Sequence, residues 1–415
     1  MAHPSPRSPR RRAWRALVVV PLAAIAAACV APPLPPPGSS TTTSSTAATS
    51  STTSTAPPIG DGRPTPPLVT DGADLVDAQG ETVTLRGINW FGFETETHLV
   101  HGLWARDYRA MLAEIADLGY DTIRLSWSVQ AIRSSSISGL NTSLGANAQL
   151  AGKTPLQAMD AIIDGAADEG LLVLLDNHRL NDASIPELWY GDGYTEQDWL
   201  DSWRLLADRY ADRPNVIGAD LKNEPHGAAT WGSGNLATDW RLAAERAGEV
   251  VLSEAPHWLI VVEGVSGTVP GQQLSGHWWG GNLEAAGAYP VRLSIPHRVV
   301  YSPHEYGPGV YDQAWFHTGD LTATMHDRWE KGFGYLQTQD IAPVLVGEFG
   351  GKSVDTTSLE GRWQNLFVDW LDARELSFTY WTWNPNSSDT GGVLTDDWTT
   401  VRADKQAMLD RLLDG

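Results

Sequence analysis

Eight short apolar runs, each followed by a segment of helical spacing or a long loop, dominate the chain from residue 87 onward. They are Gly87–Trp90, Thr122–Ser126, Leu171–Asp176, Val216–Leu221, Trp258–Val262, Val299–Ser302, Val344–Gly347 and Phe378–Trp381. The runs lack polar alternation, as expected of parallel strands covered by protein on both faces. Helix-period segments separate most of them: Asp107–Leu118, Pro155–Glu169, Glu196–Tyr210, Asp239–Ser253, Leu321–Lys331 and Leu359–Arg374. A last one, Asp404–Leu413, follows the eighth run. Thr154-Pro155 offers an N-cap followed by a first-turn proline. Eight β-then-α units predict an α/β fold, a (β/α)8 TIM barrel. The fifth unit is the exception, because a Trp/Gly-rich stretch, Gly276 to Gly287, stands where its helix should be. A short hairpin, Asp74–Asp77 and Val83–Leu85 around a turn at Ala78–Gly80, is expected before the barrel.

The N-terminal residues have a different character. Arg7, Arg10, Arg11, Arg12 and Arg15 precede an apolar stretch, Ala16 to Ala28, that is too short to span a bilayer and ends in three alanines. Residues 1–28 therefore read as a signal peptide. The next residue, Cys29, is the only cysteine, so no internal disulfide can form. Small residues followed by Cys resemble a bacterial lipobox, which makes Cys29 a candidate lipidation site. From Ser39 to Thr55, 15 of 17 residues are Ser or Thr, with proline patches on both sides. Residues 29–67 are expected to be a disordered tether, since such a segment cannot bury a core. The barrel domain is expected over residues 68–415, and the protein is expected outside the cell, free or anchored at Cys29 to the outer face of the cytoplasmic membrane.

Charge narrows the function. The chain has 415 residues, 29 Lys+Arg against 50 Asp+Glu, and a net charge of −21. Without clustered basic residues it is a poor partner for nucleic acid or any polyanion. Nineteen tryptophans offer flat faces instead. In a TIM barrel the chemistry sits at the C-terminal ends of the strands. Those ends carry Trp90, Arg124, His178, Asn223-Glu224, Glu263, His304 with Tyr306, Glu348 and Trp381. Glu224 and Glu348 follow the fourth and seventh runs, on opposite sides of the barrel mouth, so both can face one cleft. Two carboxyl groups in one cleft can divide acid and nucleophile roles at a glycosidic bond. Histidines with metal-ligand spacing are absent, and both roles are filled without a metal or cofactor.

Seven runs carry a resemblance: Arg86–Gly92, Thr122–Leu125, Leu174–Arg179, Asn223–His226, Pro303–Tyr306, Gly347–Gly350 and Trp381–Pro385. In order and spacing they resemble the cellulases of glycoside hydrolase family 5, and look most like the actinobacterial endo-β-1,4-glucanases. The resemblance implies a retaining enzyme on a β-glucan polymer or oligosaccharide, with Glu224 as acid/base and Glu348 as nucleophile; on that division Arg124 is expected to hold Glu348 ionised and lower its pKa, and a neighbouring carboxylate to raise that of Glu224. A monomer is expected. The resemblance also implies that Asn223 meets the sugar 2-hydroxyl, that His178 binds a hydroxyl at the −1 subsite, that His304 and Tyr306 flank the nucleophile, and that Trp381 is the subsite floor. Trp90, Trp104, Trp231, Trp278, Trp279 and Trp383 are further candidate sugar platforms, since an indole face covers the C–H side of a pyranose. Mannan, xyloglucan and mixed-linkage glucan stay open as substrates, as does a non-catalytic carbohydrate-binding role.

Overall fold

In the computed structural model, which describes residues 63–414, eight parallel strands form the barrel. Three short antiparallel strands precede it: β1 (Val69–Asp71), β2 (Asp74–Val76) and β3 (Thr82–Val83). The barrel strands are β4 (Arg86–Phe93), β5 (Thr122–Ser128), β6 (Leu172–Arg179), β7 (Val216–Asp220), β8 (Leu259–Glu263), β9 (Val299–Ser302), β10 (Leu345–Val346) and β11 (Ser377–Tyr380). Neighbours run β10-β11-β4-β5-β6-β7-β8-β9, and bridges Tyr301–Val344 and His304–Glu348 close the ring.

Strand periodicity sorts the side chains into two layers. Along β6, Leu172 and Leu174 point inward below, with Asp176 and His178 above them on the same face, while Val173 and Leu175 join the helix-facing core. Along β8, Leu259 and Val261 point inward beneath Glu263. The lower interior is thus an apolar plug, sealed by Leu75 and Leu85 of the N-terminal meander and by Leu68. Polar side chains fill the upper interior. The packed fold extends past the expected boundary at residue 68: the Arg63 guanidinium donates to the carbonyls of Glu169 and Ala116. The signal, the lipobox and the Ser/Thr run lie outside the described residues.

Helices α1 (Tyr108–Asp117), α2 (Val129–Arg133), α3 (Pro155–Asp168), α4 (Glu196–Tyr210), α5 (Trp240–Glu254), α6 (Leu321–Trp329), α7 (Tyr335–Thr338), α8 (Leu359–Asp372) and α9 (Ala403–Leu413) surround the barrel. Their starts follow local chemistry. Thr154 and Gln157 form a capping box at α3, and Thr195 and Asp198 another at α4. A π-helical turn, Glu330–Gly334, joins α6 to α7. No helix occurs between β8 and β9 among the described residues, and the Trp/Gly-rich loop takes its place.

Candidate active site

Arg124 organises the upper interior. It projects inward from β5 and is fully buried. Its Nε donates to Asp220 Oδ2 at 2.8 Å, and its Nη1 donates to Glu348 Oε1 at 2.7 Å and Asn89 Oδ1 at 3.0 Å. Its Nη2 donates to Asn223 Oδ1 at 3.0 Å and Glu263 Oε1 at 3.2 Å, and lies 3.1 Å from Asp176 Oδ1. One guanidinium fork therefore orients four buried carboxylates and two amides. Asp176, Asp220 and Glu263 lie close enough together to suggest a cation site. Arg124, in ion-pair contact with all three, already supplies the balancing charge.

Glu348 accepts a second hydrogen bond from the Tyr306 hydroxyl, at 2.6 Å to Oε2. Glu224 sits in the left-handed region at φ 52°, and its backbone N–H donates to Glu263 Oε2 at 2.6 Å. That unusual backbone, fixed by a buried carboxylate, aims the side chain across the barrel mouth. Gly280 makes room for it, since a Cβ there would meet Glu263 Oε2 at 2.3 Å. His304, fully buried, lies between the two glutamates. Its Nδ1 is 3.2 Å from Glu224 Oε1 and 3.5 Å from Glu348 Oε2, and its Nε2 is 3.3 Å from Glu263 Oε1. An oxygen of Glu224 and one of Glu348 come within 4.8 Å of each other.

The electrostatics differ from the sequence expectation. Burial would lower the pKa of His304, but the charges of Glu263 and Glu348 and the hydrogen bond to Glu224 outweigh it and hold the ring cationic well above the ordinary histidine range. Burial raises Glu224, yet the hydrogen bond and charge of His304 bring it below the usual carboxylate value. Burial keeps Glu348 above that value, because the charges of His304 and Arg124 only partly offset desolvation and the nearby Glu224. These directions favour the shared proton on His304 over Glu224, and Arg124 does not bring Glu348 below normal. His178 is likewise raised, against the effect of burial, by Asp176, whose Oδ2 lies 2.6 Å from His178 Nδ1.

A cleft of about 730 Å³ opens above these groups, lined by Glu224, Glu348, His178, Tyr306 and aromatic walls. The Trp381 ring lies nearly parallel to Phe91, at 5.4 Å, and to His178, at 5.3 Å between ring centroids. Trp278 and Trp279 line the opposite wall, and Trp279 lies flat on His226 at 3.6 Å. Trp104 is 38% exposed but stands behind this lining, connected to it through His101 and Asn386. Trp90, by contrast, is not a platform. Period-two alternation turns Asn89 inward and Trp90 outward into the helix layer, where it is fully buried and its indole N–H donates to His101 O. Trp231 and Trp383 are buried in the same core, so neither offers a face to a sugar.

Asp176 and Asp220 were not singled out as site residues from the sequence, and Glu263 was named at its strand end without a role. Their signal was an acid inside each of three otherwise apolar strands, a placement that burial forbids without a partner.

The comparisons agree with this geometry. A family model described as cellulase (glycosyl hydrolase family 5) matches residues 76–387. An endoglucanase of Paenibacillus polymyxa is 49% identical over 83% of this chain and 86% of its own length. The major extracellular endoglucanase of Xanthomonas campestris is 43% identical over 83% of this chain and 70% of its own. The solved catalytic domain of the Xanthomonas enzyme superposes with TM-score 0.78, at 43% identity, over 84% of this chain and all of that one. An endocellulase from Pyrococcus horikoshii in complex with cellotetraose gives TM-score 0.78 at 42% identity, over 85% of this chain and all of that one. A carboxylate pair at the mouth of a closed eight-stranded barrel, a family model that matches most of the barrel, and relatives of this identity lead to one conclusion: the chain belongs to the cellulase family, glycosyl hydrolase family 5.

Proposed function

We propose that the protein is a retaining endo-β-1,4-glucanase in which Glu348 is the nucleophile and Glu224 the acid/base. The observation that carries this is the approach of the two carboxyl groups, within 4.8 Å oxygen to oxygen. That approach suits direct attack, for which the groups stand about 5–5.5 Å apart, better than the about 6.5–9.5 Å of an inverting site. Glu348, held by Arg124 and Tyr306, attacks the anomeric carbon and forms a glycosyl ester as the C–O bond to the leaving sugar breaks. Glu224 gives that oxygen its proton, then takes one from the water that hydrolyses the ester. The proton reaches Glu224 from His304 across their 3.2 Å contact. Asn223 Oδ1 is occupied by Arg124 and its Nδ2 has no partner among the described residues, so that donor is free for the sugar 2-hydroxyl. His178 meets a further hydroxyl, Trp381 forms the −1 floor, and Trp278 and Trp279 carry sugars on the other wall. The endoglucanase names of the relatives and the bound cellotetraose of the Pyrococcus structure support β-1,4-glucan as substrate.

Proton NMR during hydrolysis of cellopentaose tests the assignment. The β-anomer should appear first and the α-anomer only by mutarotation. An initial α-anomer would exclude double displacement, and no cleavage of cellopentaose would exclude the substrate.

The enzyme acts as a monomer, since one chain supplies every group of the cleft. It works outside the cell, as the extracellular Xanthomonas relative supports, and is anchored through a lipidated Cys29. Cys29→Ser should move activity from the membrane fraction to the medium at unchanged specific activity. Native protein already in the medium with a free thiol at that position would leave simple secretion in its place.

A further inference from the structure

The cleft wall built by the loop between β8 and β9 has little regular structure behind it, yet it carries Trp278 and Trp279. Glu284 holds it from within, through the backbone N–H groups of Gln273 and Leu274 and the His277 ring, and a second support comes from outside the cleft. Arg328, on α6, is buried, and its Nη2 donates to the carbonyl of Gly276 at 2.6 Å, two residues before Trp278. Its guanidinium lies over the Trp315 ring, 3.8 Å from the centroid. Trp315 belongs to the next loop and meets Trp278 edge to face at 6.4 Å. Trp278 in turn meets Tyr306 edge to face at 5.9 Å, and Tyr306 donates to Glu348. A continuous chain of contacts runs from an outer helix to the wall of the cleft. Trp278 cannot anchor itself by a hydrogen bond, because its indole N–H is buried and has no partner among the described residues.

We propose that Arg328 is a positioning residue for the leaving-group side of the cleft: it clasps the loops that carry Trp278 and Trp315 and so sets the affinity for sugars beyond the scissile bond. The side follows from the assignment of Glu224 as acid, on which this rests. The acid must stand beside the departing oxygen, and His226, two residues on, is the ring on which Trp279 lies. The planar guanidinium is specifically required, since it donates in its plane while its face covers an indole; an ammonium offers a point charge without that face.

The test compares Arg328→Met and Arg328→Lys with wild type on two substrates. Cellohexaose uses the leaving-group wall, whereas dinitrophenyl β-cellobioside, whose small leaving group needs neither wall nor acid, does not. Both variants should raise KM for cellohexaose by about tenfold, the loss expected when a partly buried cation–π clasp is removed. Their kcat/KM on the aryl glycoside should stay within about twofold of wild type. With 5-fluorotryptophan labelling, the fluorine resonance of Trp278, assigned through Trp278→Phe, should shift or broaden in both variants. Equal losses on the two substrates would make Arg328 a general stability residue. An unmoved Trp278 resonance, or an unchanged KM for cellohexaose, would overturn the clasp. A wild-type enzyme inert to cellohexaose would refute the glucanase assignment, and the fluorine resonance would still decide whether Arg328 orders the loop.

Discussion

At the scale of single residues, one geometry asks two glutamates for opposite work, and kinetics can separate them. Glu348→Gln should abolish turnover of polymer and aryl glycoside alike, since no other carboxylate in the cleft can form the ester. Glu224→Gln should lose about 10²–10⁴-fold on polymer but far less in the first step on dinitrophenyl cellobioside, whose leaving group needs no proton. Equal losses for both variants on that substrate would reverse or void the roles. His304 adds a pH signature. Glu348 must be ionised to attack, so the acid limb of kcat/KM should lie above the ordinary 4.5 of a glutamate. Glu224 must be protonated, and its proton is shared with His304, whose affinity is raised well above the ordinary 6.5. The basic limb belongs to that pair and should therefore fall above pH 6.5. In His304→Asn the proton has only Glu224 to sit on, and the basic limb should move to lower pH. A limb that stays in place would show that the two groups do not share it.

At the scale of elements, the barrel was legible because each strand is a mainly apolar run ended by polar or aromatic residues, and helix starts such as Thr154-Pro155 carry their caps in the sequence. The closing of the ring, Glu224 and Glu348 included, followed from strand order alone. Three features were less legible. Strand phase was misjudged at Trp90: a strand's last aromatic looks like a cleft residue, but only its parity with Asn89 decides which way it faces. The first strand of the meander, Val69–Asp71, has too few residues for a pattern and exists through pairing with β2. The proton on His304 depends on charges from three separate strand ends, which no local spacing reveals. Trp381 shows what strand-end reasoning does capture. Its ring, stacked with Phe91 and His178, follows β11 at the open end of the barrel, above the packed layers. Trp381→Ala should lower kcat/KM by about 100-fold through lost sugar positioning, with a melting temperature within about 5 °C of wild type. A large thermal loss with little kinetic effect would make it a core residue.

At the scale of the whole molecule, a buried cation ties the end of the chain to the cleft. Lys405, in α9, has its ammonium fully inside the protein, and among the described residues it donates to the carbonyl of Thr390, at 3.0 Å. Thr390 bonds Ser387, which accepts from the Trp381 indole, so the last helix supports the floor of the site. Burial, with the charge of Arg402 added, pulls the Lys405 pKa from 10.5 to about 7, against Asp404 and Glu360. The unfolded chain therefore binds this proton more tightly than the folded one, and stability falls as pH drops from 10.5 through 7, then levels off. Lys405→Met keeps the length of the side chain and removes the charge. It should raise the melting temperature at pH 6 by about 2–4 °C, a net gain of about 1 kcal/mol after the Thr390 carbonyl loses its donor. The gain should shrink as pH rises and vanish or reverse near pH 10, where the wild-type amine is neutral and still donates. The molecule's net charge of −21 makes overall self-repulsion grow with pH in both proteins, so the difference between them isolates Lys405. A difference that does not vary from pH 6 to pH 10 would mean that Lys405 stays protonated throughout and that the fold accommodates its charge.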